Sequence, residues 1–223
     1  MGKLFQVLRR VVYPFLPVKK AVFAEPVGEE PVIYLANHLG AAGPIYMAAA
    51  FPRRESCVIW CNEGMMDEKL TVAYVRHDWW WKPESKLAPL YSATIPYIAK
   101  AIVPKVLRSA PTVAVYRDAR VMTTMRNSLK ALKAGKSIVI FPELPDGYDS
   151  HAEHLQMGWL NLVTMYRRAT GKDIRLVPIH IDLEHRLFRV EKSITAEADV
   201  PLSEQEERIE RYLAAGIRGQ LSQ

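Results

Sequence analysis

The stretch MTTMRNSLKALKAGKSIVIFPE, residues 122–143, decides the class of fold. Met122 to Ala134 carries Met125, Leu129 and Leu132 on one side at helical spacing, and Gly135 supplies the stop. Ser137 to Phe141 then runs Ser-Ile-Val-Ile-Phe, the short unbroken apolar run of a strand buried on both faces. Pro142 and Glu143 end that run. A helix, a glycine, a buried strand and a polar residue at its carboxyl end are the parts of a parallel α/β sheet.

The same alternation extends both ways. Val32 to Ala36, Ser56 to Trp60, Val113 to Tyr116 and Arg175 to Ile181 read as further strands. Ile45 to Phe51 opens a helix, and Leu155 to Thr170 is another, ended by Gly171. Ser203-Glu204-Gln205-Glu206 has capping-box spacing and predicts a last helix with Ile209, Leu213 and Ile217 facing inward. The expectation is a single α/β domain over 21–223, a mostly parallel sheet flanked by helices, preceded by an amphipathic helix within 1–20.

In that N-terminal segment Leu4, Leu8, Val11 and Phe15 form one face, widened by Val7 and Val12, with Lys3, Gln6 and Arg10 opposite. Such a helix either lies in a membrane interface or packs on the domain's own core. Residues 67–111 fit the alternation poorly and read as an insertion. They hold Trp79-Trp80-Trp81 beside Lys82 and Lys86, then a proline-punctuated run with Ile95, Ile98, Ala99, Ile102 and Val106. Three readings are open: aromatics at the headgroup level of a membrane, an acyl-chain groove, or a helical cap over the sheet.

Composition narrows the partners. The 223 residues are 49% hydrophobic and 24% charged, which suits one globular domain, and the net charge of +6 favours an anionic partner. The longest apolar run, Pro44 to Phe51, is too short to cross a bilayer. Met1 to Lys20 lacks the compact apolar core and small-residue cleavage site of a secretory leader. Cys57 and Cys61, four apart with no accompanying metal-type set, read as thiols of a reducing cytosol. A cytoplasmic protein peripheral to a membrane is expected. Nucleic acid is not expected as a partner, because no zinc finger, glycine-rich aromatic motif or basic run is present.

Three predicted strand ends carry polar clusters: Asn37-His38, Arg117-Asp118-Ala119-Arg120 and Pro142-Glu143. A lone histidine at a strand end is commonly structural. A base, cations and a carboxylate at three ends of one sheet point to chemistry.

In these blocks the sequence resembles the glycerolipid acyltransferase family, the lysophosphatidic acid acyltransferases and their relatives. That family carries Asn-His-x4-Asp, a strand ending in Arg, Phe-Pro-Glu-Gly and a Val-Pro-Ile-like strand. Asn37-His38, Val115-Tyr116-Arg117, Phe141-Pro142-Glu143 and Val177-Pro178-Ile179 match in that order. The resemblance implies acyl transfer from a thioester, acyl-coenzyme A or acyl carrier protein, to a hydroxyl of a phosphate-bearing glycerolipid-type acceptor. His38 would be the general base, and Asn37, Arg117, Phe141, Pro142 and Glu143 the substrate-binding set. No metal or resident cofactor is implied, the acyl thioester being a co-substrate. A catalytically silent lipid- or acyl-carrier-binding protein of the same fold is the alternative.

The sequence also departs from that pattern. The family's acid five residues after the histidine is Gly43 here, and Phe-Pro-Glu continues as Leu144-Pro145-Asp146. In the serine-protease triad, loss of the equivalent carboxylate's charge costs about 10⁴-fold in rate. Another acid, Asp118, Glu143 or Asp146, would have to serve His38 in an active enzyme. The stretch from Asp146 to His154, with two histidines and three acids, reads as a solvated loop before a metal site. His180 and Asp182 alternate onto one face of a strand end and are expected to pair.

Overall fold

The computed structural model describes residues 2–40, 42–77, 80–82, 84–143 and 155–221. Its elements in chain order are α1 (Lys3–Val12), β1 (Lys20–Phe23), β2 (Val32–Ala36), α2 (Ala42–Ala49), β3 (Cys57–Asn62), α3 (Thr71–His77), α4 (Ala88–Ser109), β4 (Thr112–Val115), α5 (Val121–Lys133), β5 (Ser137–Ile140), α6 (Asn161–Thr170), β6 (Arg175–Asp182), β7 (Leu187–Val190) and α7 (Leu202–Ile217).

The seven strands form one sheet in the order β1-β7-β6-β2-β5-β3-β4. β6, β2, β5, β3 and β4 are parallel, β7 pairs antiparallel with β6, and β1 is parallel to β7. The expected mostly parallel sheet is therefore present, with an antiparallel margin that the sequence pattern did not announce. β1 and β7 are four residues each, too short to stand out by periodicity.

All five residues of β2 are buried because helices cover both faces of the sheet. Ile33 and Leu35 pack with Ile138, Ile140 and Leu176 against α5, α6 and α7. Val32, Tyr34 and Ala36 turn to the other face, where Met47 of α2 and Phe51 meet Val139, Val177 and Phe188. In α5, Met125 and Leu132 are buried, Leu129 packs partly, and Gly135 takes the left-handed φ of 75° that ends the turn. α7 buries Ile209, Leu213 and Ile217 as expected. It starts at Leu202 after Pro201 and makes no side-chain cap hydrogen bond, so the Ser203–Glu206 box is not formed. The helix expected from Leu155 begins later, at Asn161, after a 3-10 turn over Gly158–Leu160, because Leu155 instead bridges Glu143.

Among its described residues, the interval 67–111 is a helical crossover between β3 and its neighbour β4, made of α3 and α4. Two internal prolines do not break α4. Pro96 and Pro104 sit on its buried face with Ala99, where packing against α3 offsets the lost backbone bonds. Trp80 and Trp81 are partly buried against Met65, Val75 and Ala99, which makes them part of a cap; Trp79 lies outside the described residues. The N-terminal helix is also shorter than the expected span to residue 20. It ends at Val12, and Tyr13–Phe15 tightens to a 3-10 turn around Pro14. Phe5 is the one buried residue of α1. Among the described residues no helix is long and apolar enough to cross a membrane.

Candidate functional site

Parallel sheets present their polar groups where the strands end. Leu35 pairs with Ile140, Ile59 with Val139 and Trp60 with Val113. Carried three residues onward, this register brings His38, Glu143, Glu63 and Tyr116 to one level at the carboxyl edge. β4 lies three strand spacings from β2, about 14 Å.

His38 and Glu143 meet directly. The His38 backbone N–H donates to Glu143 Oε2 at 2.6 Å. Glu143 is buried and held from behind by an antiparallel bridge to Leu155. The His38 ring meets Phe141 edge-on with centroids 5.2 Å apart. Its Nδ1 bonds the carbonyl oxygen of Gly40. A carbonyl only accepts, so Nδ1 carries the proton and Nε2 is the basic nitrogen of the neutral ring. Leu39 and Gly40, with φ of 50° and 58°, bend the backbone so that this carbonyl turns back to the ring. Left-handed backbone at a leucine is strained, a state that tertiary contacts must hold in place.

The position of the resembled motif's acid has a different use. The Gly43 N–H donates to His38 O at 2.9 Å, drawing the start of α2 onto the strand end. A Cβ on Gly43 would lie 2.2 Å from that oxygen and 2.8 Å from Asn37 O. Any side chain there displaces backbone. The His38 ring bonds the Gly40 carbonyl instead of a side chain at position 43.

Asn37 is 1% exposed, and its amide is engaged by β6: Oδ1 accepts from Ile181 N at 2.7 Å and Nδ2 donates to Ile181 O at 3.3 Å. This ties β2 to β6 and leaves the side chain facing backbone, not in the substrate-binding role expected of it. Pro142 is buried, and its carbonyl accepts from Gln156 N at 2.9 Å, which fixes the segment bearing Glu143.

At the far edge, Arg117 and Asp118 are both exposed. Asp118 does not reach His38. It takes a forked bond from Arg120, at 3.0 Å from Nε and 2.7 Å from Nη2, and this pairing lowers its pKa below the usual carboxylate range. Arg120 also bonds Glu63 at 2.7 Å and stacks 4.3 Å above Tyr116, so its charge is already matched. Arg117 makes no ion pair among the described residues. Asp146 and the rest of the 146–154 stretch lie outside the described residues.

Asp182 is buried and pairs not with His180 but with His185 and Arg189, at 2.8 and 2.9 Å. Burial alone would raise its pKa. The bonds from the His185 N–H, Arg189 and the His185 ring outweigh that and hold it at about 2. His180 instead bonds the Ile217 carbonyl at 2.8 Å. Among the described residues no three His, Cys, Asp or Glu side chains group as metal ligands.

Sequence reasoning had no route to the Gly40 carbonyl or the turn at Leu39, since backbone acceptors leave no residue-type signature. The Glu63–Arg120–Asp118 cluster was half visible, because Arg120 stood in the quoted block while Glu63 belonged to no motif.

No family model matches the chain, and no curated protein matches it. Among solved structures it is similar to the crystal structure of the 1-acyl-sn-glycerophosphate (LPA) acyltransferase PlsC from Thermotoga maritima. The identity is 11% and the TM-score 0.54, over 99% of this chain and 80% of that one. At that identity the likeness establishes a shared α/β fold.

Proposed function

We propose that the protein transfers a fatty acyl group from an acyl thioester, acyl-coenzyme A or acyl carrier protein, to a hydroxyl of a phosphate-bearing glycerolipid-type acceptor at a membrane surface. The observation that carries this reading is the His38 ring at the carboxyl edge of the sheet, with Nδ1 bonded to Gly40 and the backbone held by Glu143. In this reading Nε2 takes the proton of an attacking hydroxyl, a group far too weak an acid to react unaided at neutral pH. As the hydroxyl oxygen bonds to the thioester carbon, the proton passes to Nε2. Collapse of the tetrahedral intermediate breaks the carbon–sulfur bond, and the proton leaves with the thiol. Arg117 is the cation that would receive the acceptor's phosphate. Glu143 acts through the histidine's backbone as a positioning residue.

One observation favours a second reading, a catalytically silent lipid- or acyl-carrier-binding protein. A backbone carbonyl orients an imidazole but brings less negative charge to a developing imidazolium than a carboxylate does, and Gly43 leaves no room to restore one. A panel of labelled acyl-coenzyme A and acyl carrier protein donors, offered with phosphorylated and dephosphorylated glycerolipid acceptors, separates the two. Turnover that prefers phosphorylated acceptors supports acyl transfer. Binding of donor or lipid with no turnover across the panel supports the silent binder.

A further inference from the structure

The apolar stripe of α1 faces outward. Leu4, Val7 and Val11 are 48%, 59% and 58% exposed, and Phe15 just beyond is 83% exposed. Inward-facing Phe5 meets α4, where the backbone N–H groups of Gly2 and Phe5 bond the Ser109 carbonyl and hydroxyl at 2.7 and 3.1 Å. α4 also has an unburied apolar side: Leu90, Tyr97, Ile98 and Ile102 are each about half exposed or more. Ile98, Ile102, Lys105 and Ser109 share one stripe by helical spacing, so the side of α4 that seats α1 continues into exposed isoleucines.

Charge distinguishes this surface from the rest of the molecule. None of the 24 Asp and Glu residues falls within 1–24 or 85–117, while Lys3, Arg10 and Lys105 lie exposed beside the apolar stripes. Among the described residues the acids that meet these helices, Glu55 and Glu68, are ion-paired with Arg9 and Arg108; large apolar side chains rimmed by further cations match a surface with hydrocarbon below and negative headgroups above. A second protein copy matches poorly, since two such faces would place like charges together.

We propose that α1 and α4 together form a docking platform for an anionic phospholipid bilayer, α4 lying on the interface alongside α1. The proposal rests on the membrane-surface part of the reading above and names the lipid charge and the second helix that it needs.

Flotation of the full-length protein with phosphatidylcholine vesicles, with and without about one-third phosphatidylglycerol, tests it. Binding should be about tenfold or more tighter to the anionic vesicles and weaken as salt screens the headgroups. Ile98→Glu/Ile102→Glu and Lys105→Glu should each weaken it while thermal melting stays near wild type, as surface changes allow. Wild-type protein that ignores both vesicles, binds them equally, or binds the anionic ones undiminished in Ile98→Glu/Ile102→Glu overturns the proposal. So does a stable dimer, measured by light scattering, that the same substitutions dissociate. Vesicle binding is read without donor or acceptor, so its failure is distinguishable from a failure of acyl transfer.

Discussion

Glu143 Oε2 accepts the backbone N–H of His38 at 2.6 Å, joining the ends of two neighbouring parallel strands through one buried carboxylate. The side chain that the resemblance placed in the substrate-binding set thus holds the histidine's backbone. Charge-assisted bonds of this type contribute about 1.5–3 kcal/mol. Glu143→Ala should lower the melting temperature by roughly 3–12 °C on the usual scaling for this size, and Glu143→Gln, which keeps an acceptor oxygen, by less. Differential scanning calorimetry checks the order; equal melting of Ala variant and wild type would mean that the bond contributes nothing.

Gly43→Ala and Gly43→Asp should both destabilise the protein. The added Cβ meets two backbone oxygens, and neither can swing aside as a side chain end could. Overpacking of this kind costs about 1–3 kcal/mol or more. Restoring the motif's aspartate should accordingly reduce activity. Denaturant melts and initial rates on the two variants measure this, and a faster Gly43→Asp enzyme would show that the carboxylate finds room.

Asn37→Ala removes both partners of the Ile181 backbone groups in a buried site, at a cost of about 2–3 kcal/mol. A chemical-denaturation midpoint that does not move contradicts the strand-tie assignment.

Asp182 contributes to acid stability. Its folded pKa, at about 2, lies below the ordinary value. The stabilisation is therefore fully present above the unfolded carboxylate range, near pH 4, and is lost as pH falls toward 2; it amounts to about 2 kcal/mol. Asp182→Asn should flatten the stability curve between pH 4 and 2 and cost about that much at pH 7. Unfolding free energies measured across this window decide it, an unchanged pH slope in the variant being the contrary result.

Arg117→Ala should raise KM for a phosphate-bearing acceptor and leave kcat nearly unchanged, because an exposed cation binds ground state and transition state alike. A dephosphorylated acceptor should not sense the substitution. An equal loss on both acceptors contradicts an anion site at Arg117.

Buried periodicity made the sheet centre legible. Val32–Ala36 and Ser137–Ile140 are continuous apolar runs because both faces are covered, and the same physics fixes them as neighbours. The margins were illegible for the converse reason: Lys20–Phe23, largely exposed, owes its strand conformation to pairing with β7. α4 was obscured by prolines that signal breaks locally and are tolerated through tertiary contact. At the site, His38, Arg117 and Glu143 could be named from residue type at strand ends. Their contacts could not be, since Glu143 bonds a backbone N–H and the His38 ring bonds a backbone carbonyl.

The tautomer of His38 offers a check independent of turnover. Long-range proton–nitrogen NMR of the imidazole at neutral pH should report the proton on Nδ1; a proton on Nε2 contradicts the Gly40 bond.

The most direct measurement is the single-turnover rate of acyl transfer from a labelled acyl thioester in wild type and His38→Ala at saturating acceptor. A lost general base should slow the step about 10²–10⁴-fold while donor binding persists. An undiminished rate in His38→Ala would contradict the assignment of His38 as the base.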